Sequence, residues 1–247
     1  MDRADGDDEA EAERLRLFLE TPDTIHRPGA LGSVANHLPP SLVERIRVVG
    51  TRTLAPLSRR KVAHLLENDV LLLHLGSGFE RKKGWINVDL VPVKSDLFWD
   101  LRKGIPFPDG SVDAIFHEHV LEHIPKRYGL HLSQECFRVL KPGGVLRVVV
   151  PNAGNALRGY ASDEGNTTIP FPTNLMGIES LFYGDGHVSM FDAQTLILFL
   201  RAAGFNEVLE QTFRESFLPV DAPDSESRRG GSLYVDARKG TCNAMLH

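Results

Sequence analysis

An α/β fold with a mainly parallel sheet is the class this sequence predicts, and three observations predict it. Short apolar runs begin at Val70 and recur as far as Arg238, and runs of that kind suit strands covered on both faces. Amphipathic stretches of helical period lie between the later runs, the alternation expected of a parallel sheet. The chain has 247 residues, 42% hydrophobic and 25% charged, an ordinary globular composition long enough to bury a large core.

Residues 1–8 are acidic and small, and are expected to be unstructured. Asp8 suits a helix cap for EAEAERLRLFLE, where Leu15, Phe18 and Leu19 form an apolar stripe. Residues 21–40 carry Pro22, Pro28, Gly29, Gly32, Pro39 and Pro40 and read as a linker. Helices are expected over about 41–48 and 55–67, the second with Val62, Leu65 and Leu66 on one face. A tail and helical extension over 1–67 is therefore expected to precede a domain over 68–247.

Within that domain, VLLLHLG (70–76), WINVDL (85–90), DLFWDL (96–101), SVDAIFH (111–117) and GGVLRVVVP (143–151) read as strands. HLSQECFRVL reads as a helix that Lys141-Pro-Gly-Gly144 stops before the next strand. Residues 152–190 are rich in Gly, Asn, Thr and Pro, and are expected to form a long loop or lid over a substrate. Order returns with a helix over 192–204 and strands over 205–213 and 231–238, for about seven strands in all.

Charge and cysteine usage exclude several classes. A net charge of -5, with no large basic cluster, gives no footprint for nucleic acid. Arg59-Arg60-Lys61 and Arg81-Lys82-Lys83 read as solvated faces. Cys136 and Cys242 make neither a metal spacing nor a disulfide framework, so a reducing cytoplasm is the expected location. No signal-peptide pattern and no apolar run of membrane-spanning length is visible.

His74-Leu-Gly76-Ser-Gly78 closes the first strand, and glycines there let backbone approach a ligand at the carboxyl edge of the sheet. A dinucleotide site would want a third glycine at position 81, where Arg81 stands, and a helix where residues 79–84 leave no room. An NAD-dependent oxidoreductase is disfavoured on that ground. Asp89 and Asp100 end successive strands, where carboxylates accept hydrogen bonds from a ribose diol or an adenine amino group; each alone also reads as a cap or turn residue. Two acids favour a nucleoside ligand without phosphate.

These features together resemble a known family. LLHLGSG…GWINVDL…DL…IPFPDGSVDAIFHEHVLEHI…ECFRVLKPGGVLRVVVPN, over about 70–152, resembles the class I S-adenosylmethionine-dependent methyltransferases. HVSMFDAQTLILFLRAAGF resembles the later helix and strand of the same family. The resemblance implies a Rossmann-like sheet with S-adenosyl-L-methionine as methyl donor. It implies that Gly76 and Gly78 line the cofactor, that Asp89 holds the ribose hydroxyls and that Leu90 packs against the adenine. Asp100 and Leu101 would meet the adenine edge, and His117 would lie beside the methionine portion. The helices usual after the first and second strands are missing, since a parallel crossover normally takes a dozen or more residues. Helices from 41–67 are expected to cover the face left bare.

HEHVLEH (117–123) sits at the carboxyl end of the fourth strand. A helix starting near His119 would put His119, Glu122 and His123 on one face. The string admits three readings: packed and capping residues, a zinc hydrolase of H-x-x-E-H type, or a metal site for methyl transfer. The third is similar to the E-x-x-E-H helix and distant histidine with which small-RNA 2′-O-methyltransferases bind a divalent cation. The matching residues are His119, Glu122, His123 and His187. A divalent cation, Mg or Mn, is the expected further cofactor, although the nitrogen-rich set suits Mn, Fe, Co or Zn better than Mg. Without metal, His119 or His187 would serve as general base.

The function expected is O-methylation of a hydroxyl on a sugar, glycan or glycosylated metabolite, with Tyr160, Phe171, Phe182 and Tyr183 as candidate substrate wall. The alternatives are a cofactor-binding regulatory or scaffold protein and a methyltransferase acting on N or C. A homodimer is kept open as the assembly.

Overall fold

The computed structural model describes residues 40–90, 94–162 and 173–241. The acidic tail, the helix from Asp8, the linker up to residue 39, Phe171 and Cys242 lie outside the described residues. A first helix, α1, spans Pro40–Leu65. The two helices expected here are one, running through Gly50 and Pro56.

Seven strands follow: β1 (Leu72–Leu75), β2 (Ile86–Asp89), β3 (Leu97–Phe98), β4 (Val112–Glu118), β5 (Leu140–Pro151), β6 (Glu207–Gln211) and β7 (Ser232–Arg238). They form one sheet of order β3-β2-β1-β4-β5-β7-β6. The first five are parallel, and β7 runs antiparallel to β5 and β6. Four further helices are α2 (Lys126–Val139), α3 (Ala153–Ala161), α4 (Asn174–Tyr183) and α5 (Ala193–Ala202). Residues 152–190 are thus not one long loop. Asn152 and Thr173 cap α3 and α4 through their side chains, accepting from Asn155 N and Met176 N.

Lys141-Pro-Gly-Gly144 also departs from expectation. The strand already pairs at Leu140, opposite Val112, and resumes with Val145 opposite Ala114. The tetrad is an outward bulge within β5, pinned by Lys141 Nζ on the Asp113 carboxylate at 2.8 Å.

The connections β1–β2 and β2–β3 return parallel strands with no helix among their described residues, so their backbone groups need other partners. Asn87, fully buried in β2, supplies them. Its Nδ2 donates to Trp85 O at 2.8 Å and to Asp96 Oδ2 at 2.9 Å, while its Oδ1 accepts from Lys82 N at 2.9 Å. The same Oδ1 lies 3.0 Å from His74 Nδ1. Asp96 N and Asn87 N bond across the second connection, to Asn87 O and Asp96 Oδ2.

Two apolar clusters flank the sheet. The larger joins Leu73, Leu75, Ile115, Leu146 and Val148 to Leu132, Cys136 and Val139 of α2 and Leu196 and Leu200 of α5. Helix α1 contributes Val62 to it, and docks on β3 through Ser58 Oγ to Phe98 O at 2.9 Å. The smaller joins Leu72, Ala114, Phe116, Val149 and Trp85 to Leu218, Ala222 and Tyr234, with Phe213 and Phe217 against it. That second face is therefore closed by the β6–β7 connection and not, as expected, by residues 41–67, whose helix packs against β3 and the larger cluster instead.

A buried cation fixes the connection there. Arg147 projects from the middle of β5 with no solvent exposure. Its Nε donates to Asp224 Oδ1 at 2.8 Å and its Nη1 to Asp236 Oδ1 at 3.0 Å and Glu215 O at 2.9 Å. Nη2 donates to Thr212 O and Asp224 Oδ2, so all five guanidinium N–H groups are used. Removing one partner leaves charge unpaired in the interior. Asp224→Ala is expected to lower unfolding free energy by about 3–5 kcal/mol, read from urea unfolding.

His74 adds a pH dependence. Burial pushes its imidazole down to about 4, partly offset by the Asn87 hydrogen bond. The unfolded chain takes up this proton below about pH 6.5 while the folded chain does not. Stability is therefore complete above that pH and falls between 6.5 and 4. Replacing His74 with Gln, which keeps a donor for Asn87 Oδ1, should flatten this fall by on the order of 3 kcal/mol, measured as unfolding free energy against pH.

Candidate active site

The carboxyl end of β1 turns through Gly76 and Gly78, at φ of 65° and 51°. These are left-handed conformations that favour glycine. At Gly76 the constraint is double, because a Cβ built there would overlap Val120 Cγ2. The turn is tied to β2 by Gly76 N to Val88 O at 2.9 Å and Gly78 N to Asp89 Oδ2 at 2.9 Å. One oxygen of Asp89 thus orients the turn from the strand end where a ribose-binding acid is expected. Leu90 follows it, half-buried.

Asp100 is placed differently. The third strand pairs only through Leu97–Phe98, and Asp100 caps a 3₁₀ turn over Leu101–Lys103. Its carboxylate accepts from Arg102 N, Nε and Nη2 at 3.2, 3.0 and 3.2 Å. Leu101 is buried beside it.

Two buried polar groups at the edge of β1 and β4 have no hydrogen-bond partner among the described residues: Ser77 Oγ and both ring nitrogens of His117. Burial, with the smaller effect of His74, pushes His117 down to about 3. Natural interiors rarely leave such groups unsatisfied. A close-approach glycine turn, a strand-end acid and orphan polar groups fit a polar nucleoside ligand such as S-adenosylmethionine.

The histidine string does not form the expected helix face. His119 has φ of 54°, a left-handed value uncommon outside glycine. The chain then makes a 3₁₀ turn over Leu121–His123, and α2 begins only at Lys126, after Pro125. The cluster assembles all the same, by a different route. Val188 N and Ser189 N both donate to Glu122 O, at 2.7 and 3.1 Å, and Ser189 Oγ donates to Ile124 O at 3.1 Å. These bonds bring His187 onto the turn, with its ring edge-on to His123 at 4.9 Å.

Ligand atoms of Glu122, His123 and His187 all lie within 4.8 Å of one another. Ligands about 2.1 Å from a shared ion lie at most about 4.2 Å apart, so small side-chain movements would close the site. His119 Nδ1 stands 3.5 Å from Glu122 Oε1, while its Nε2 lies 3.0 Å from Ser232 Oγ. His187 Nδ1 lies 2.7 Å from Leu181 O, so it carries the proton and Nε2 is left as the basic nitrogen.

Electrostatics push the cluster towards neutrality. Burial pushes Glu122 up to about 8, and neither of its oxygens has a hydrogen bond among the described residues. Burial, then Arg228, His187 and His123, hold His119 near 3.

Sequence reasoning missed a second group of residues beside this site. The Glu118 carboxylate, buried at the end of β4, accepts from Ser225 N at 3.0 Å and from Ser225 Oγ. Lys82 and Arg228 stand next to it. Ser225 and Arg228 lie over a hundred residues downstream, and no spacing rule joins them to Glu118. Only the Arg147–Asp224 pairing does so.

A seven-stranded, mostly parallel sheet of this order is typical of class I S-adenosylmethionine-dependent methyltransferases. Residues 93–148 match the family described as "Methyltransferase domain". The chain is 44% identical over 57 residues to a probable S-adenosylmethionine-dependent methyltransferase of Mycolicibacterium smegmatis. That match covers 22% of this chain and 21% of the relative. Among solved structures, it is similar to a Thermotoga maritima methyltransferase described as a possible histamine N-methyltransferase. The identity is 17%, with a TM-score of 0.46, over 80% of this chain and 96% of the other. A methyltransferase from Archaeoglobus fulgidus matches at 16% identity and TM-score 0.45, over 78% and 99% of the two chains. No described helix is long and apolar enough to cross a membrane.

Gly76→Ala is expected to weaken S-adenosylhomocysteine binding at least about tenfold, since left-handed strain and the Val120 overlap add. Val120→Ala in the same chain should recover part of the loss, the share due to overlap. Calorimetric titration of the single and double variants reads both effects.

Proposed function

We propose that this chain is an S-adenosylmethionine-dependent O-methyltransferase. Its acceptor on this reading is a hydroxyl of a sugar, glycan or glycosylated metabolite. A divalent cation is held by Glu122, His123 and His187, with His119 beside them. The observation that carries the reading is a buried carboxylate without a hydrogen bond among the described residues, set among three imidazoles next to the glycine turn. Burying such a group unpaired is costly, and a cation removes that cost while using the imidazoles in the neutral form burial favours. The anchoring of His187 Nδ1 on a backbone carbonyl is what metal-binding histidines commonly show. Nitrogen donors favour Mn, Fe, Co or Zn over Mg.

When bound, the ion supplies Lewis acidity towards adjacent hydroxyls and the cofactor supplies an electrophilic methyl group. The chain's own contribution is position. Gly76, Gly78 and Asp89 hold the donor; the cluster holds the acceptor; α3 and α4, carrying Tyr160, Phe182 and Tyr183, wall it from water. His119, held near 3, is too weak a base to keep a proton at neutral pH, and acts as a neutral ligand or acceptor. With no ion held, His187 is the better placed of the two histidines expected to move a proton, through the Nε2 that would otherwise face the ion. Residues 68–247 make the methyltransferase domain on this reading, with 1–67 as its extension, and the net charge of -5 argues against a nucleic-acid acceptor.

The test supplies methyl-labelled S-adenosylmethionine and a panel of sugars and glycans with vicinal hydroxyls, with and without chelator, beside elemental analysis of the protein. Label should enter a diol-bearing acceptor and stop doing so on chelation. Glu122→Gln should lose ion affinity by about 10- to 100-fold without unfolding the chain. Full turnover in excess chelator, with no ion retained, would return the cluster to a packing role. Label transfer confined to nitrogen or carbon acceptors would overturn the O-methyl reading.

A further inference from the structure

Across β4 from the imidazole cluster lies the charged node around Glu118. Ser225 holds both carboxylate oxygens. Lys82 Nζ donates to Ser225 Oγ at 2.9 Å and stands 3.9 Å from Glu118 Oε2 and 3.8 Å from Glu80 Oε2. Arg228 Nη1 lies 3.4 Å from Glu118 O and 3.9 Å from Glu118 Oε2. Charge-assisted bonds of a guanidinium are typically about 2.7–2.9 Å. Arg228 is thus held loosely, its side chain 35% exposed, unlike Arg147 with every donor used.

The node also has a telling place. The sheet order reverses between β1 and β4, and ligands of open parallel sheets bind in the crevice at that point. Arg228 contacts the end of β4 from the β6–β7 connection. Ser77 Oγ and the His117 ring, the orphan polar groups, belong to the same crevice.

We propose that Arg228 binds the carboxylate of the cofactor's methionine portion, with Lys82 as the second cation of the same node. This rests on the methyltransferase reading above. With the ribose at Asp89 on β2, the amino-acid end of the cofactor extends towards β4. That end is a zwitterion, and the node offers Arg228 and Lys82 for its carboxylate and Glu80 for its ammonium. A guanidinium presents paired donors matched to a carboxylate. Its long contacts to Glu118 cost little to exchange for that ligand.

The experiment is calorimetric titration of wild type, Arg228→Gln and Arg228→Lys with two ligands. S-adenosylhomocysteine carries the amino-acid end, and 5′-methylthioadenosine lacks it. Arg228→Gln should bind S-adenosylhomocysteine about ten- to thirtyfold more weakly and methylthioadenosine within about twofold of wild type, with Arg228→Lys between. Unchanged S-adenosylhomocysteine affinity, or equal loss for both ligands, overturns the proposal. So does unchanged cofactor affinity with a raised KM for glucuronate alone, which would give Arg228 to an acidic acceptor. If Arg228→Gln fails to fold, the wild type and Arg228→Lys still decide: a preference for the homocysteine compound that is reduced in Arg228→Lys supports the proposal, and equal affinity of the wild type for the two ligands, or a preference unchanged in Arg228→Lys, overturns it. Wild-type binding of neither ligand defeats the methyltransferase reading itself, and is told apart from the other outcomes by that fact.

Discussion

A single buried arginine sets the shape of the site. The sheet lacks the helices that would normally cover one face beside β1 and β2, and a bare face of Leu72, Ala114, Phe116 and Val149 must be closed by something. Arg147, in the middle of β5, recruits the β6–β7 connection to do it. Buried ion pairs add little net stability against an apolar replacement of the same shape. What this one contributes is placement: a guanidinium with five fixed donors accepts only one arrangement of Asp224, Asp236 and the carbonyls of Thr212 and Glu215. Tyr234 lies under the same group, its ring 5.1 Å from the guanidinium carbon.

Placement propagates along the chain. Asp224 is paired to Arg147, so Ser225, its neighbour, is delivered to Glu118. From there the backbone carries Arg228 to the end of β4 and Ser232 to His119. The wall that the missing helices would have given the crevice is thereby replaced by a connection anchored from beneath. Asn87 performs the corresponding service on the other side, where one side chain bonds to groups on both sides of a helix-free crossover. In both cases a buried polar residue stands in for secondary structure, and each works because its bonding capacity is filled.

This explains what the sequence made legible and what it hid. Strands such as Val145–Val150 and the glycine turn carry their signal locally, in runs and spacings, and the sheet follows from them. The cap residues Asn152 and Thr173 carried a signal too, but Gly, Asn and Pro nearby outweighed it, and two helices read as loop. The spacing of His119 to Glu122 and His123 has helical period and predicts a helix there. The backbone instead passes through a left-handed residue, which no periodicity reveals. The cluster assembles all the same because a 3₁₀ turn also sets nearby residues on one side, and because His187 arrives through backbone bonds to Glu122 O. Ser225 and Arg228 were hidden for a deeper reason. Their place depends on the pairing of Arg147 with a residue 77 positions away, and long-range pairing leaves no mark on local pattern.

The two charged groups beside β4 are opposites in design. The imidazole cluster is poor in compensating charge: burial raises the Glu122 pKa and lowers that of His119, so one cause moves an acid and a base alike towards their neutral forms. A site of that kind gains most from a ligand that brings positive charge with it. The Glu118 node already contains both signs, with Lys82 and Arg228 against Glu118 and Glu80, and suits a ligand that brings both. Arg228 links the two, because its positive charge near Glu122 favours the carboxylate while disfavouring protonation of His119. On the proposed reading, the fold therefore sorts its ligands by charge on either side of one strand. A zwitterion lies towards the β6–β7 connection and a cation towards α4, with His119, in reach of both Glu122 and Ser232, between them.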